Sequence, residues 1–325
     1  MSGDDTPVTI LMPIYDDWES AFVLVGRIVR ALAATSFKPT FLLVDDGSSI
    51  APPHALPQVA GGATVDVLHL RRNLGHQRAI AIGLAYVQQN QPSPATIVMD
   101  GDGEDTAEGV VALLRRFVEL GGRQAVFAVR GRRTEGLMFR AFYVLYRNLY
   151  RFLTGRSVRE GNFSVLSFGH LDQLVAVSEL WNHYAAAVFK ARLPIDRIAI
   201  DRGMRIAGRS RMSLLSLIAH GLSAISVFAD VVGLRLLIAT CILAVLTVGV
   251  VIAVVVIRFA TSLAIPGWAT NATGLLLLLL TQAALLSLVF VFMVLQSRNT
   301  SSFIPLRDYV YFVSRRERIA PGVDG

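Results

Sequence analysis

Charge is scarce in this 325-residue chain, and cysteine is nearly absent. Only 17% of residues are Asp, Glu, Lys or Arg, against about 25% in an ordinary soluble domain. Hydrophobic residues make up 53% and mean hydropathy is +0.52. These values exclude a disordered chain and argue against a wholly soluble one. Charge is missing altogether between Arg258 and Arg298. The single cysteine, Cys241, sits inside an apolar run, which excludes a disulfide framework and a cysteine metal site. The six histidines show no metal-ligand spacing. No Gly-x-Gly-x-x-Gly follows the first apolar strand and no phosphate-binding Gly-x-x-x-x-Gly-Lys is present, so the simplest dinucleotide and ATP sites are excluded. Met1-Ser-Gly-Asp-Asp has no apolar run, which predicts no signal peptide and a globular part on the cytoplasmic side.

What is present divides in two. Residues 1–200 hold 20 basic and 19 acidic side chains; residues 201–325 hold 11 and 5. Nearly all of the net +7 therefore flanks the apolar segments, a pattern suited to an anionic membrane surface and not to nucleic acid. Leu236–Ile257 and Gly274–Leu295 are uncharged runs of 22 residues, each longer than the ~20 needed to cross a bilayer. Arginines precede the first run and follow the second, and the connection carries only Arg258. The positive-inside rule then predicts a hairpin with both ends cytoplasmic. Before it, Leu215, Ile218, Leu222, Ile225 and Ala229 recur at helical spacing behind Arg205, Arg209 and Arg211. This predicts an amphipathic helix in the membrane interface; the competing expectation is a helix packed on the core.

The first 130 residues alternate apolar, β-branched runs with helix-period stretches. The runs are Val8–Met12, Phe41–Val44, Val65–Leu70, Thr96–Met99 and Ala125–Val129. The pattern predicts βαβ units and a mostly parallel sheet covered on both faces. Each run leads straight into a polar cluster. In order these are Pro13-Ile-Tyr15-Asp16-Asp17, Asp45-Asp46-Gly47-Ser48, Arg71-Arg72-Asn73-Leu74-Gly75, Asp100-Gly101-Asp102-Gly103-Glu104 and Arg130-Gly131-Arg132-Arg133. Ligands of open parallel sheets bind outside the carboxyl ends of the strands, so five clusters on one edge predict a single site.

The fourth cluster is the most informative. Asp100 and Asp102 stand just past a buried strand and can bring two carboxylates near one point, with Glu104 as a third oxygen donor. Hard divalent cations such as Mg²⁺ take oxygen ligands and share them with substrate phosphates. The plainer expectation for Asp-Gly-Asp alone is an acidic turn that caps the next helix. Asp45-Asp46-Gly47-Ser48 taken alone would be an ordinary turn. His76 and His183 are expected to be structural or solvated.

In this order, Pro13–Asp17, Val44–Ser48, Asn73–Gly75 and Asp100–Asp102 resemble the GT-A domain of family 2 glycosyltransferases. Arg205-Ile-Ala-Gly208-Arg-Ser210-Arg211 is similar to the Arg-x-x-Gly-x-Ser-Lys segment of the polyprenyl-phosphate glycosyltransferases. Many bacterial members of that group carry two C-terminal membrane helices. The resemblance implies an α/β GT-A fold and an inverting transfer of one sugar. The donor would be a UDP- or GDP-linked sugar, the acceptor a polyprenyl phosphate, and the cofactor Mg²⁺ or Mn²⁺. It places Pro13, Tyr15, Asp17, Asp45, Asp46 and Asn73 at the nucleotide. Asp100 and Asp102, with Glu104, fall at the metal and diphosphate, Arg132 and Arg140 at the acceptor phosphate, and Arg205 and Arg211 on the segment that closes over the diphosphate. It also implies assembly through the membrane helices. Two departures stand out. The group's Asp-Phe-Arg segment appears as Asn162-Phe163-Ser164, and Asn cannot act as a base. Arg211 replaces Lys, keeping the charge and adding a planar fork. The Gln-x-x-Arg-Trp motif of processive synthases is absent, which fits single transfer.

The expected organisation is a cytoplasmic GT-A domain over 1–204 and an interface segment over 205–233. Membrane helices follow over 234–258 and 274–296, joined by an external loop over 259–273, and a basic cytoplasmic tail covers 297–325. The expected location is the inner (cytoplasmic) membrane. Rival expectations are transfer to another lipid such as diacylglycerol, which would need a base, and a non-catalytic scaffold with the same fold. A channel or carrier is disfavoured, because neither span holds an internal charge.

Overall fold

The computed structural model describes residues 6–52, 63–130, 137–156, 160–207, 214–260, 267–299 and 303–320. The apolar runs become strands: β1 (Thr6–Ile14), β2 (Phe37–Asp45), β3 (Thr64–Leu70), β4 (Ala95–Val98) and β5 (Ala125–Arg130). Between them lie α1 (Trp18–Leu32), α2 (His76–Asn90) and α3 (Ala107–Glu119). Then follow α4 (Leu137–Thr154), β6 (Ser164–Ser167), α5 (Phe168–Val175), α6 (Tyr184–Lys190) and β7 (Ile195–Ile200). The chain continues with α7 (Leu214–Ser226), α8 (Ala229–Ala260), α9 (Trp268–Asn299), α10 (Pro305–Asp308) and β8 (Val313–Ala320).

The eight strands form one sheet in the order β7-β5-β6-β4-β1-β2-β3-β8. β1 pairs in parallel with β2 and β4, β2 with β3, and β5 with β7; β6 and β8 run antiparallel to their neighbours. Strand periodicity divides the core between the two faces. Ile10 and Met12 point into one layer with Phe22, Val25 and Ile28 of α1 and Val110 and Leu114 of α3. Leu11, Leu42 and Val44 point into the other with Ile80, Leu84 and Val87 of α2 and Tyr184 of α6. All of these side chains are buried, each contributing roughly 1.5–3 kcal/mol relative to exposure. A Cβ on Gly83 would come within 2.6 Å of Leu11, so the bare glycine lets α2 lie close on the sheet.

The segment expected as a basic tail is structured. β8 pairs with the free edge of β3 from Val65 to Leu70. Its Arg316 and Arg318 bind the fully buried carboxylate of Asp66, at 2.8 and 3.1 Å. Tyr309, just upstream, is buried and donates its hydroxyl to Gln89 of α2 at 2.9 Å. Two compact units result. One comprises residues 1–146, 157–227 and 303–325; the other comprises 147–156 and 228–302.

In the second unit, α8 and α9 are each 32 residues long, about 48 Å at the helical rise. Both are long and apolar enough to cross a membrane. They pack side by side, with Thr240 and Ser287 sharing a hydrogen bond of 2.5 Å and Gly233 facing the Phe290 ring. α7 belongs to the first unit, where its His220 meets His183 at 3.2 Å and Ala224 is buried. Residues 208–213, with Arg209 and Arg211, lie outside the described residues.

Candidate active site

The carboxyl ends of β1 and β4 bound a cleft of ≈ 180 Å³ lined by Pro13, Ile14, Tyr15, Asp17, His76, Asp100, Gly101, Asp102 and Arg205. The acidic groups around it fall into two kinds. Some hold the loops. Asp46 accepts the backbone N–H groups of Leu74 and Gly75 at 2.7 and 2.8 Å, locking the loop after β3. Asp45 accepts from Ser48 N and meets His69 Nδ1 at 2.7 Å. Asp16 takes a left-handed φ of 54 and accepts from the backbone of Ser49 and Ile50. Gly47 packs so close that a Cβ would stand 2.6 Å from the Asn73 nitrogen, and its φ of +70 favours glycine. Asp45 and Asp46, predicted with Asn73 to touch the nucleotide, shape the rim through these contacts, and none of the three lines the cleft.

Others face the cleft. Arg205 bridges Asp17 Oδ2 at 2.8 Å and Asp102 Oδ2 at 3.1 Å. Asp102 Oδ1 accepts the Glu104 N–H, and the Asp100 N–H is held by Asp105. Asp100 Oδ1 meets His76 Nε2 at 3.1 Å and the Asn162 amide nitrogen at 3.3 Å. The segment carrying Arg205 is tied to the acidic turn: Gly203 N donates to Glu104 O and Ile206 N to Asp102 O. Burial, and then the neighbouring charge of Asp100, push Asp102 above the usual carboxylate range, and Arg205 and Arg202 offset this only in part. Burial pulls His76 down, but the carboxylates of Asp100, Asp46 and Asp102 outweigh it and raise its pKa.

Two oxygen-bearing side chains with surplus negative charge fit a hard divalent cation, and Asp100 and Asp102 are the residues that would hold one. Glu104, expected as a third oxygen donor, is not among the residues that line the cleft. Its carboxylate is ion-paired with Arg202, and among the described residues no three metal-ligating side chains converge. His76, expected to be structural or solvated, lines the cleft. Its signal in the sequence was its place directly after the Asn73–Gly75 cluster. His183 is buried and structural. Arg132 and Arg211 lie outside the described residues, and Arg140 is placed on α4 by its backbone alone. A wider hollow of ≈ 550 Å³ beside α1 and the start of α3 contains none of the predicted site residues.

Compared with known proteins, the pattern described as "Glycosyl transferase family 2" matches residues 9–169, from β1 to the start of α5. Residues 9–169 are a glycosyl transferase family 2 domain. The chain is a glycosyltransferase. It is 24% identical over 231 residues to the uncharacterized glycosyltransferase YkcC of Bacillus subtilis (strain 168), covering 68% of each chain. It is 27% identical over 153 residues to the undecaprenyl-phosphate 4-deoxy-4-formamido-L-arabinose transferase of Klebsiella pneumoniae (strain 342), over 46% of this chain and 45% of that one. Among solved structures it resembles glucosyl-3-phosphoglycerate synthase from Mycobacterium tuberculosis in complex with Mn²⁺, uridine diphosphate and glucosyl-3-phosphoglycerate. The TM-score is 0.52 at 15% identity, over 70% of this chain and 80% of that one. A complex of the same synthase with Mg²⁺ and uridine diphosphate superposes with a TM-score of 0.51 at 14% identity. These likenesses show the fold, a GT-A sheet.

Proposed function

We propose that this glycosyltransferase moves one sugar, with inversion, from a nucleoside-diphosphate sugar to the phosphate of a polyprenyl phosphate. The reaction would take place at the cytoplasmic face of a membrane. The observation that carries the reading is the Asp17–Asp100–Asp102–Arg205 cleft on the carboxyl edge of the sheet, in a chain that also holds two bilayer-length helices. The Klebsiella relative is named for an undecaprenyl-phosphate acceptor, and the mycobacterial neighbours hold uridine diphosphate with Mn²⁺ or Mg²⁺.

In this reading Tyr15, exposed at the mouth, lies against the base, and Asp17 accepts from the nucleoside. Asp100 and Asp102 hold Mg²⁺ or Mn²⁺, which when bound neutralises the departing diphosphate. Arg205 exchanges the two carboxylates for phosphate oxygens, which suit its planar fork. Arg132, Arg140 and Arg211 supply further positive charge for the diphosphate and the acceptor. A phosphate monoester has a second pKa of about 6 and is already nucleophilic at neutral pH. The site therefore works by positioning and charge, and no protein base is required. Attack from the face opposite the leaving group inverts the anomeric centre. α8 and α9 form a membrane hairpin with both flanks cytoplasmic and keep the enzyme where its acceptor lies.

Purified full-length protein in lipid, given UDP- and GDP-sugars, Mn²⁺ and polyprenyl phosphate, is expected to form a glycolipid that survives mild alkali and is cleaved by mild acid. A product stable to mild acid would identify a glycoside on a lipid hydroxyl and overturn the acceptor assignment. Asp102→Ala is expected to abolish transfer while the protein still inserts; full activity of that variant would refute the metal role.

A further inference from the structure

One network behind the cleft runs through the two residues that depart from the family pattern. Tyr184, fully buried at the start of α6, donates its backbone N–H to Gln77 Oε1 at 2.6 Å. A backbone N–H can only donate, so the Gln77 amide has one orientation: oxygen toward Tyr184, nitrogen away from it. That nitrogen donates to Asn162 Oδ1 at 3.1 Å. Asn162 is then also fixed, and its own N–H₂ must face the cleft. There it reaches Asp100 Oδ1 at 3.3 Å and His76 Nε2 at 2.9 Å. The backbone of the same segment is held as well. Ser164 Oγ donates to the Asn162 carbonyl at 2.9 Å and lies 2.7 Å from the Tyr184 hydroxyl. Ser164 has one hydroxyl hydrogen and gives it to that carbonyl, so the Tyr184 hydroxyl is the donor to Ser164.

The donors in this chain point one way, from the buried backbone of α6 to the carboxylate at the rim. The geometry points to Gln77 and Asn162 as positioning residues that hold Asp100 in the rotamer required at the donor site. This rests on the proposed function, in which Asp100 helps to hold the divalent cation. It also accounts for Asn at position 162. A carboxylate there would accept from Gln77 equally well, but it would set a second negative charge 3.3 Å from Asp100 Oδ1 and could offer Asp100 no N–H of its own. Ser164 is likewise the small hydroxyl that can take a hydrogen bond from Tyr184 and pass one to the Asn162 carbonyl.

Groups that orient a metal ligand are worth roughly 10–100-fold in metal affinity or activity. Two variants test the relay. Gln77→Glu keeps the size and the acceptor for Tyr184 but reverses the polarity toward Asn162; Asn162→Ala removes the N–H facing Asp100. Binding of Mn²⁺ to the full-length protein with uridine diphosphate present is read from the free Mn²⁺ signal. Steady-state constants for donor and acceptor are measured beside it. Both variants are expected to weaken Mn²⁺ binding about 10-fold or more and to raise the donor KM. The acceptor KM and the melting temperature of Gln77→Glu should stay as in the native protein, and the double variant should be no worse than the poorer single one.

Asp100→Ala separates the two readings. If it binds Mn²⁺ as tightly as the native protein, the metal assignment fails. If Asp100→Ala is impaired while Gln77→Glu and Asn162→Ala both bind normally, the relay fails and the proposed function stands. Equal loss toward donor and acceptor together with a lowered melting temperature would make the network merely structural and overturn the proposal.

Discussion

Asp102 meets two opposing demands. In the proposed reaction it must be ionised to bind a cation, yet burial and the adjacent Asp100 favour its protonated form, and Arg205 is the nearest counterweight. Replacing Arg205 by Met removes that counterweight, so the Asp102 pKa should rise further. Ionised Asp102 is then lost at a higher pH, and the acid limb of the kcat/KM profile is expected to shift upward relative to the native enzyme. An unmoved acid limb would show that Asp102 does not control it. His183 offers a second titration at the same scale. Burial, reinforced by His220, lowers its pKa from 6.5 to about 3. The unfolded chain therefore takes up a proton between these values that the folded chain refuses. Stability is lost as pH falls below 6.5, by at most about 1.4 kcal/mol per pH unit for this one group. His183 Nδ1 also caps α6 by accepting the Ala186 N–H, and Asn can do the same. His183→Asn is thus expected to flatten the acid loss of melting temperature without lowering the value at pH 7.5. His76 shows where residue-level reading stopped. A lone histidine offers only its place after the Asn73–Gly75 cluster, and it was the folding of the acidic turn against it, with Asp100 Oδ1 at 3.1 Å, that joined it to the cleft.

At the scale of elements, β8 and α2 show opposite reasons for being hard to see. β8 reads Val-Ser-Arg-Arg-Glu-Arg-Ile-Ala, a charged stretch that looks like a soluble tail. Edge strands commonly carry such charge, which discourages pairing with other chains, and here two of the arginines answer Asp66 inside the sheet. Removing both arginines leaves the buried carboxylate with the neutral Gln91 amide at 2.7 Å and no countercharge, a loss of about 3–5 kcal/mol. Arg316→Met with Arg318→Met is expected to lower the urea midpoint of the catalytic unit accordingly, and Asp66→Asn in that background to recover part of it. If the double variant unfolds at the native midpoint, the clasp contributes nothing. α2 is hidden for the contrary reason. From Ala79 to Val87 it is buried all round, and a helix wrapped in core shows no polar face and no 3.6-residue alternation. The strands β1 to β5 were legible because both faces of a covered parallel sheet demand continuous apolar runs.

For the whole molecule, the chain leaves the catalytic unit at residue 228, forms the apolar hairpin, and returns at residue 303 to complete the sheet. Cutting the chain after residue 228 would therefore remove β8 as well as the hairpin, baring Asp66 and the edge of β3. That truncation is expected to aggregate. Replacing 229–302 by a flexible linker while keeping 303–325 should yield a soluble, cooperatively unfolding unit that still binds nucleoside diphosphate with Mn²⁺. Soluble, folded protein from the simple truncation would contradict this.

Sequence alone determined the alternating sheet, the acidic motif after β4 and the two bilayer-length helices, because each rests on local periodicity or adjacency. Only the tertiary structure decided which acids face the cleft and which clamp loops. It alone brought His76, Gln77 and Asn162 to Asp100, and turned a basic tail into the eighth strand. These outcomes depend mostly on contacts between residues 24 to 252 positions apart, and no local pattern encodes the partner at such separations.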